Sequence, residues 1–477
     1  FANMLRVAAA LLLSASLAAG SCVSNGDFDV SKDYFQHKLQ PSGSATVTGT
    51  TVTVADDFTV EYFGNYKFVK NLRAGKEYVL VQCGTPPPDT AGTPFENATV
   101  HNIPVETIAT VGTTTITFIE LLGLREKLVA VDMTYVTSPC LQTMAACEEV
   151  VHASSWGGSW ADTAASADVV LTDAWGTGAT STDADVTFDA SSDPGMVQRA
   201  EWIKFLALFF NEEARADAVF DAIAEQYETM RVELKAAASA DDATPLTGAW
   251  ATYNAPWGDY SASWGVSAAD YKLELLEDAG IQNFAFATAV SYLTTSAALR
   301  EAVKGMDVFI DETYSPVPAD YTLDTFMDRF NFSAADAASG DYPFLTNSRV
   351  FRFDKTHNDG SFGDIGLDWY ESSLPQPQLV LEDLAKAVAG GDQASTTRWF
   401  RNLVAGEMTQ VETADACADD TLCAADHHDD EHDEDDHDED HDDHDDHDHE
   451  HDEMDDDDSS ATFVASALLL SAAALFA

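Results

Sequence analysis

The stretch Trp202–Leu234, WIKFLALFFNEEARADAVFDAIAEQYETMRVEL, decides the fold. Its apolar residues Trp202, Leu206, Phe209, Ala216, Phe220, Ile223, Tyr227, Met230 and Leu234 recur at intervals of three, four or seven. That spacing predicts one helical stripe, about 50 Å long at 1.5 Å per residue. Such a rod, placed between two folded lobes, holds them at a fixed separation and leaves a gap. The alternative is two helices broken near Asn211-Glu212.

On either side of the rod the chain repeats one grammar. Before it, Thr107–Val111 reads as a short apolar strand, Ile116–Leu122 as a helix stopped by Gly123, and Leu128–Val131 as the next strand, followed by Val169–Leu171. Strand, helix, glycine, strand is a βαβ unit, which right-handed crossover makes into a parallel sheet. After it, Gly248–Tyr253, Val308–Ile310 and Val350–Phe353 read as strands, with a helix capped by Ser267 and closed by Gly280. Phe58–Tyr62, Tyr66–Val69 and Tyr78–Gln82 predict a separate β-rich N-terminal segment. The expected class is α/β: two Rossmann-like lobes joined by a single long helix. The expected layout is a β-rich segment over 42–99, lobes over 100–195 and 245–405, and the joining helix over 196–238.

The chain of 477 residues has 82 acidic and 24 basic residues, a net charge of -58. That balance excludes a nucleic-acid binder, which must neutralise phosphates with cations. Residues 426–458 hold 23 of the acids and nine histidines, leaving 59 acidic against 24 basic residues elsewhere. This tail is too polar to fold by burial, so it is expected to be disordered. His427, His428, His432, His437, His441, His444, His447, His449 and His451 alternate there with carboxylates, a borderline ligand set for divalent metal ions. A solvated spacer needs no metal and is the other reading.

Both ends look like targeting signals. Residues 1–20 carry one arginine, an apolar run from Val7 to Leu17 and small residues, as in a secretory signal peptide. Residues 459–477 combine small residues with the charge-free run Thr462–Ala477, read as a glycosylphosphatidylinositol-anchor signal or a short membrane tail. Six cysteines, Cys22, Cys83, Cys140, Cys147, Cys417 and Cys423, suit an oxidising compartment and three disulfides, with fifteen pairings open. Asn97-Ala98-Thr99 and Asn331-Phe332-Ser333 are glycosylation sequons.

The order of these parts resembles the periplasmic binding proteins that serve bacterial iron-siderophore, haem and cobalamin importers, in a membrane-anchored form. The resemblance runs over about Tyr78 to Gly390. It is carried by Val105-Glu106-Thr107-Ile108-Ala109-Thr110 leading to Glu120-Leu121-Leu122-Gly123, by Leu128-Val129-Ala130-Val131, by Glu201-Trp202-Ile203-Lys204-Phe205, and by Pro375-Gln376-Pro377-Gln378-Leu379-Val380-Leu381-Glu382-Asp383-Leu384-Ala385. It implies a monomer that captures a ferric siderophore or similar chelate in the gap between lobes, without covalent cofactor or catalysis. A permease or an endocytic receptor would then take the ligand up. Haem or cobalamin in the same cleft is one alternative. Metal scavenging by the tail is another.

Ligand groups in α/β sheets sit on loops at the carboxyl ends of strands. Thr113, Thr114 and Thr115 follow the first strand and could hold an anionic group at a helix start. Tyr135 follows the second strand; His152, Trp156 and Trp160 lie in a Gly/Ser-rich loop. Trp257, Tyr260 and Trp264 form an aromatic loop in the second lobe, and Tyr314 follows a strand there. Arg352 is a cation able to grip chelate oxygens bidentately. The body's four histidines, His37, His101, His152 and His357, are too scattered for a naked-metal site. No nucleophile elbow or phosphate loop is present, and Trp156-Gly157-Gly158-Ser159-Trp160 falls short of one.

Overall fold

Short Val/Ile/Leu runs become parallel strands only where helices cover both faces, and the apolar runs on each side of the Trp202–Leu234 stretch meet that condition. The computed structural model describes residues 22–24, 26–39, 46–47, 50–51, 57–155, 159–173, 176, 178–240, 244–286, 290–419 and 421–423. Described residues up to 419 belong to one compact unit, and 421–423 belong to a second. The segment expected to be a signal peptide, the acidic tail with its nine histidines, the segment expected to be a C-terminal anchor, and Trp156 lie outside the described residues.

The N-terminal segment forms β1 (Phe58–Tyr62), β2 (Tyr66–Asn71), β3 (Lys76–Gln82) and β4 (Thr99–Ile103) in that order, antiparallel except for the last pair. The first lobe contains β5 (Ile108–Thr110), β6 (Leu128–Val131), β7 (Val151–His152), β8 (Val169–Thr172) and β9 (Asp185–Thr187). They lie in the order β9-β8-β5-β6-β7, all parallel. Between them run α1 (Ile116–Leu121) and α2 (Pro139–Ala146).

The second lobe is a mixed sheet. β10 (Leu246–Asn254), β11 (Ser263–Val266), β12 (Ile281–Asn283), β13 (Val308–Asp311), β14 (Val350–Arg352) and β16 (Arg401–Asn402) run in the order β11-β10-β13-β14-β16, with β12 also on β10. β15 (Thr356–Asn358) pairs separately with β17 (Gln410–Glu412). Both predicted α/β lobes are therefore present.

The rod is where the expectation fails. The stripe is two helices, α3 (Met196–Ala207) and α4 (Glu213–Ala238), and α3 packs back against α4. The long helix that joins the lobes begins at Glu213 and is 26 residues long, about 39 Å. Between them Asn211 takes a left-handed φ of 58°. The fully buried Lys67 of β2 fixes this turn: its ammonium donates to the Leu208 carbonyl (2.7 Å) and Asn211 Oδ1 (2.8 Å) and pairs with Glu213 (2.5 Å). A cation on the last carbonyls is the expected C-terminal cap. The spacing of seven from Phe209 to Ala216 fits a turn as well as two helical turns. Leu208, Phe209 and Phe210 are all buried, which a one-sided stripe does not allow.

The aromatic face of α3 fills the core instead. Trp202 packs on Phe58 at 5.4 Å and on Phe188 at 5.6 Å, joining the N-terminal sheet to the first lobe. The helix of the second lobe, α5 (Asp270–Asp278), has Ala269 at its N-cap without a side-chain bond, so Ser267 is not its cap. α4 lies along α6 (Pro377–Ala389) and α5.

Candidate functional site

The site grows from the carboxyl ends of the strands. β6 runs into the buried Asp132, whose Oδ1 accepts from the Thr134 N–H (3.1 Å) and hydroxyl (2.6 Å). Its Oδ2 accepts from the Ser155 N–H and hydroxyl, both at 2.8 Å. One carboxylate thus ties the loops after β6 and β7 together and sets the turn Met133–Tyr135. From that turn the Tyr135 phenol donates to Asp364 Oδ2 of the second lobe at 2.9 Å. His152, at the end of β7, accepts the Met133 N–H on Nδ1 (3.0 Å), and its ring meets Phe362 of the second lobe at 5.6 Å. With Nδ1 accepting, the neutral ring carries its proton on Nε2.

In the second lobe β13 ends at Asp311. The buried Arg352 donates to Asp311 (2.9 Å), Asp354 (2.6 Å) and the Thr313 carbonyl (2.8 Å). Burial alone would raise Asp354, but Arg352 and Arg401 outweigh it and hold this carboxylate below its usual range. Arg352 therefore fixes the turn that presents Tyr314, and its guanidinium is not free to grip a ligand; that expectation is corrected. Tyr314 itself is 48% exposed. Burial, then the nearby Asp364 charge, raises its phenol, and burial with the Asp364 hydrogen bond raises Tyr135 further.

Asp364 stands on the loop between Asn358 and Gly366. The buried Asn358 anchors it, donating to the Val136 carbonyl across the gap (3.1 Å) and accepting the Gly366 N–H (2.9 Å). Gly366 has no alternative residue: a Cβ there would lie 2.0 Å from the Tyr135 carbonyl oxygen.

The structure thus brings Tyr135, His152 and Tyr314 to one edge and adds Asp364, Phe362 and Asn358, which the sequence reading passed over. Their only signal was Gly360, Gly363 and Gly366 at every third position of one loop. Trp257 and Tyr260 are 48% and 77% exposed at the carboxyl end of β10, closing their turn by mutual backbone bonds. Trp264 is not beside them. It is on β11, packed on Tyr253 and donating to the Arg329 carbonyl (2.9 Å), so it belongs to the lobe's core. Trp160 is likewise core, donating to the Gly178 carbonyl. Thr115 is buried, with its hydroxyl on Thr110 and the Gly112 carbonyl. Thr113 and Thr114 are partly exposed, but α1 behind them is only six residues long and offers little dipole to an anion.

Beside this edge a polar cavity of about 360 Å³ opens between the lobes, lined among others by Glu120, Arg125, Ser138, Asp368, Glu371 and Arg398. Its groups are engaged with one another. Ser138 donates to Glu120 (2.7 Å), Arg398 to Asp368 (2.6 Å), and the Thr137 N–H to Glu371 (2.7 Å). Burial, then the Asp368 charge, pushes Glu371 well above the usual carboxylate range. A disulfide between Cys140 and Cys417 and an Arg125–Asp419 ion pair (2.6 Å) close the same seam. Cys22 bonds Cys83.

No family model matches the chain, and no curated protein does. Solved structures similar to it are periplasmic solute-binding proteins. One is described as a possible iron-binding protein from Staphylococcus epidermidis, 10% identical with a TM-score of 0.43, covering 60% of this chain and 99% of that one. A periplasmic heme binding protein from Pseudomonas aeruginosa is 16% identical with a TM-score of 0.41, covering 64% and 99%. A periplasmic vitamin B12 binding protein from Vibrio cholerae is 11% identical with a TM-score of 0.37, covering 60% and 97%. At these values the likeness says nothing of this chain's own ligand.

Proposed function

We propose that this chain is a non-enzymatic binding protein that captures a ferric siderophore or similar metal chelate between its two α/β lobes, at the outer face of a membrane. The observation that carries this reading is the convergence of Tyr135 and His152 from one lobe with Asp364 and Phe362 from the other. Open α/β sheets take ligands at the carboxyl ends of their strands, where few polar groups meet flat apolar walls. Trp257 and Tyr260, exposed at the same end of the second sheet, supply such a wall.

Disulfides such as Cys22–Cys83 and Cys140–Cys417 support an exported protein. The signal-like start, the charge-free run Thr462–Ala477 and a permease or endocytic receptor complete the proposal of a tethered uptake protein. Among the described residues no helix is long and apolar enough to cross a membrane.

Tryptophan fluorescence titrated with a ferric trihydroxamate, a ferric tricatecholate, haem and cobalamin tests it. Saturable quenching by one member, weakened in Trp257→Ala, is the expected result. No quenching and no thermal stabilisation by any member would overturn it. The nine tail histidines favour a second activity, divalent-ion binding outside the cleft. Deleting residues 426–458 should abolish zinc uptake in equilibrium dialysis and leave chelate quenching intact.

A further inference from the structure

We infer that Asn97 carries an N-linked oligosaccharide, and that this glycan covers the open edge of the N-terminal sheet. The inference rests on the proposed export of the chain and adds to it one modified residue with a stated role.

The sheet ends in β4, which pairs with β3 on one side and with no other strand among the described residues. An edge strand presents unpaired N–H and C=O groups and invites a further strand; lysine, proline or a covering loop are the usual protections. β4 reads Thr-Val-His-Asn-Ile, with neither lysine nor proline. The register pairs Val79 with Val100 and Val81 with Asn102, so these four side chains share one face. Val79 and Val81 are buried there. Phe95, in the loop between β3 and β4, roofs this face, lying on Phe68 at 4.0 Å and on Phe63 at 5.7 Å. The roof stops short of the edge: Val100 is 47% exposed, and Asn102 is exposed two residues on.

Asn97 stands at that limit. The Ala98 N–H donates to the Phe95 carbonyl (3.0 Å), closing a turn that leaves Asn97 exposed two residues before β4. Asn97-Ala98-Thr99 has the acceptor spacing, and the attached sugar is bulky and hydrated. β4 is about 17 Å long at about 3.3 Å per residue, so a branched oligosaccharide rooted at its start extends along it. The modifying step is transfer from a lipid-linked oligosaccharide pyrophosphate. A bond forms between Asn97 Nδ2 and the anomeric carbon, the anomeric C–O bond to pyrophosphate breaks, and one amide proton leaves with the lipid pyrophosphate. The second sequon has a different setting. Asn331 is exposed at the end of the helix Leu323–Phe330, next to the buried Phe332, with no strand beside it in sequence.

The test uses the full chain made in cultured eukaryotic cells and recovered from their surface or medium, with Asn331→Gln present so that one sequon remains. Peptide N-glycosidase removes the sugar and leaves aspartate at its site, which a peptide mass map locates. The expected result is an oligosaccharide at Asn97 that is lost in Thr99→Ala and restored by Thr99→Ser. Enzymatic removal of the glycan from the folded protein, or Asn97→Gln, should turn a monomer into a self-associating species in sedimentation. Val100→Lys, which charges the edge, should suppress that association. A bare Asn97 in protein that has reached the surface with its disulfides formed overturns the inference and leaves export standing. A chain retained in the cytoplasm overturns both. A glycan at Asn97 whose removal leaves sedimentation unchanged overturns the covering role.

Discussion

Gly366 rests on Tyr135 so closely that any side chain at 366 would overlap the Tyr135 carbonyl carbon, which a Cβ would reach at 2.5 Å. The obstacle is backbone, so it cannot swing aside as the tip of a side chain would. Asn358 bonds Gly366 itself and the carbonyl of Val136, the residue after Tyr135, and leaves little slack. Gly366→Ala should cost about 1–3 kcal/mol through overpacking and shift Asp364 away from Tyr135. Urea denaturation and chelate quenching measure the two effects. An alanine variant with unchanged midpoint and quenching would mean that this contact does not fix the gap.

Lys67 should be the costliest single cation to lose in the N-terminal half. Lys67→Met leaves Glu213, only 3% exposed, without its partner and uncaps α3. Breaking a buried pair in this way costs about 3–5 kcal/mol. Adding Glu213→Gln should recover part of the loss, since it removes the stranded charge. Denaturation of the two single variants and the double variant closes the cycle. If the double variant lost as much as the sum of the singles, the pair would be uncoupled.

These two sites show what the sequence displays and what it hides. Runs such as Leu128–Val131 and Val308–Ile310 are local and apolar, so their strands, and the sheets they build, could be read directly. Tyr135, Tyr314 and His152 were legible because residues just past such strands fall on a known edge. A break near Asn211-Glu212 was one of two readings the sequence allowed, and the sequence could not decide for it because the residue that fixes the turn, Lys67, is 144 positions away. Arg352 shows the same limit from the other side. Its charge marked it as a ligand grip, and only the three-dimensional neighbours Asp311 and Asp354 reveal that it is committed. Asp364 was one acid among 82, distinguished only by what it faces.

The Cys140–Cys417 disulfide spans 277 residues and joins α2 of the first lobe to the segment after β17. A crosslink closing so long a loop stabilises mainly by restricting the unfolded chain, by roughly 2–5 kcal/mol. The neighbouring bonds from Gln142 to the Glu412 carbonyl (3.3 Å) and from Thr143 to the Ala414 carbonyl (3.2 Å) are too few to replace it. Cys140→Ser with Cys417→Ser should lower the denaturation midpoint and speed amide exchange over 412–419. Unchanged exchange there would show that the segment is held without the bond.

His101 and Glu371 should pull stability in opposite directions with pH. Burial against Tyr78 and Phe209 depresses His101 to about 4, below its ordinary 6.5. The unfolded chain then binds the proton more readily than the native one, so stability is full above pH 6.5 and falls as pH drops toward 4, by about 3 kcal/mol in total. Glu371 is raised, so the native state holds its proton more tightly than the unfolded one. Its contribution is present below the ordinary carboxylate value near 4.5 and is lost as pH rises through the folded value. His101→Phe should therefore flatten the loss of stability between pH 6.5 and 4. Glu371→Gln should raise stability at pH 7, because the amide keeps an acceptor for the Thr137 N–H without a buried charge. Urea midpoints across pH 4 to 8 distinguish the two. A His101→Phe variant with the same acid slope as the parent would assign that slope to other groups.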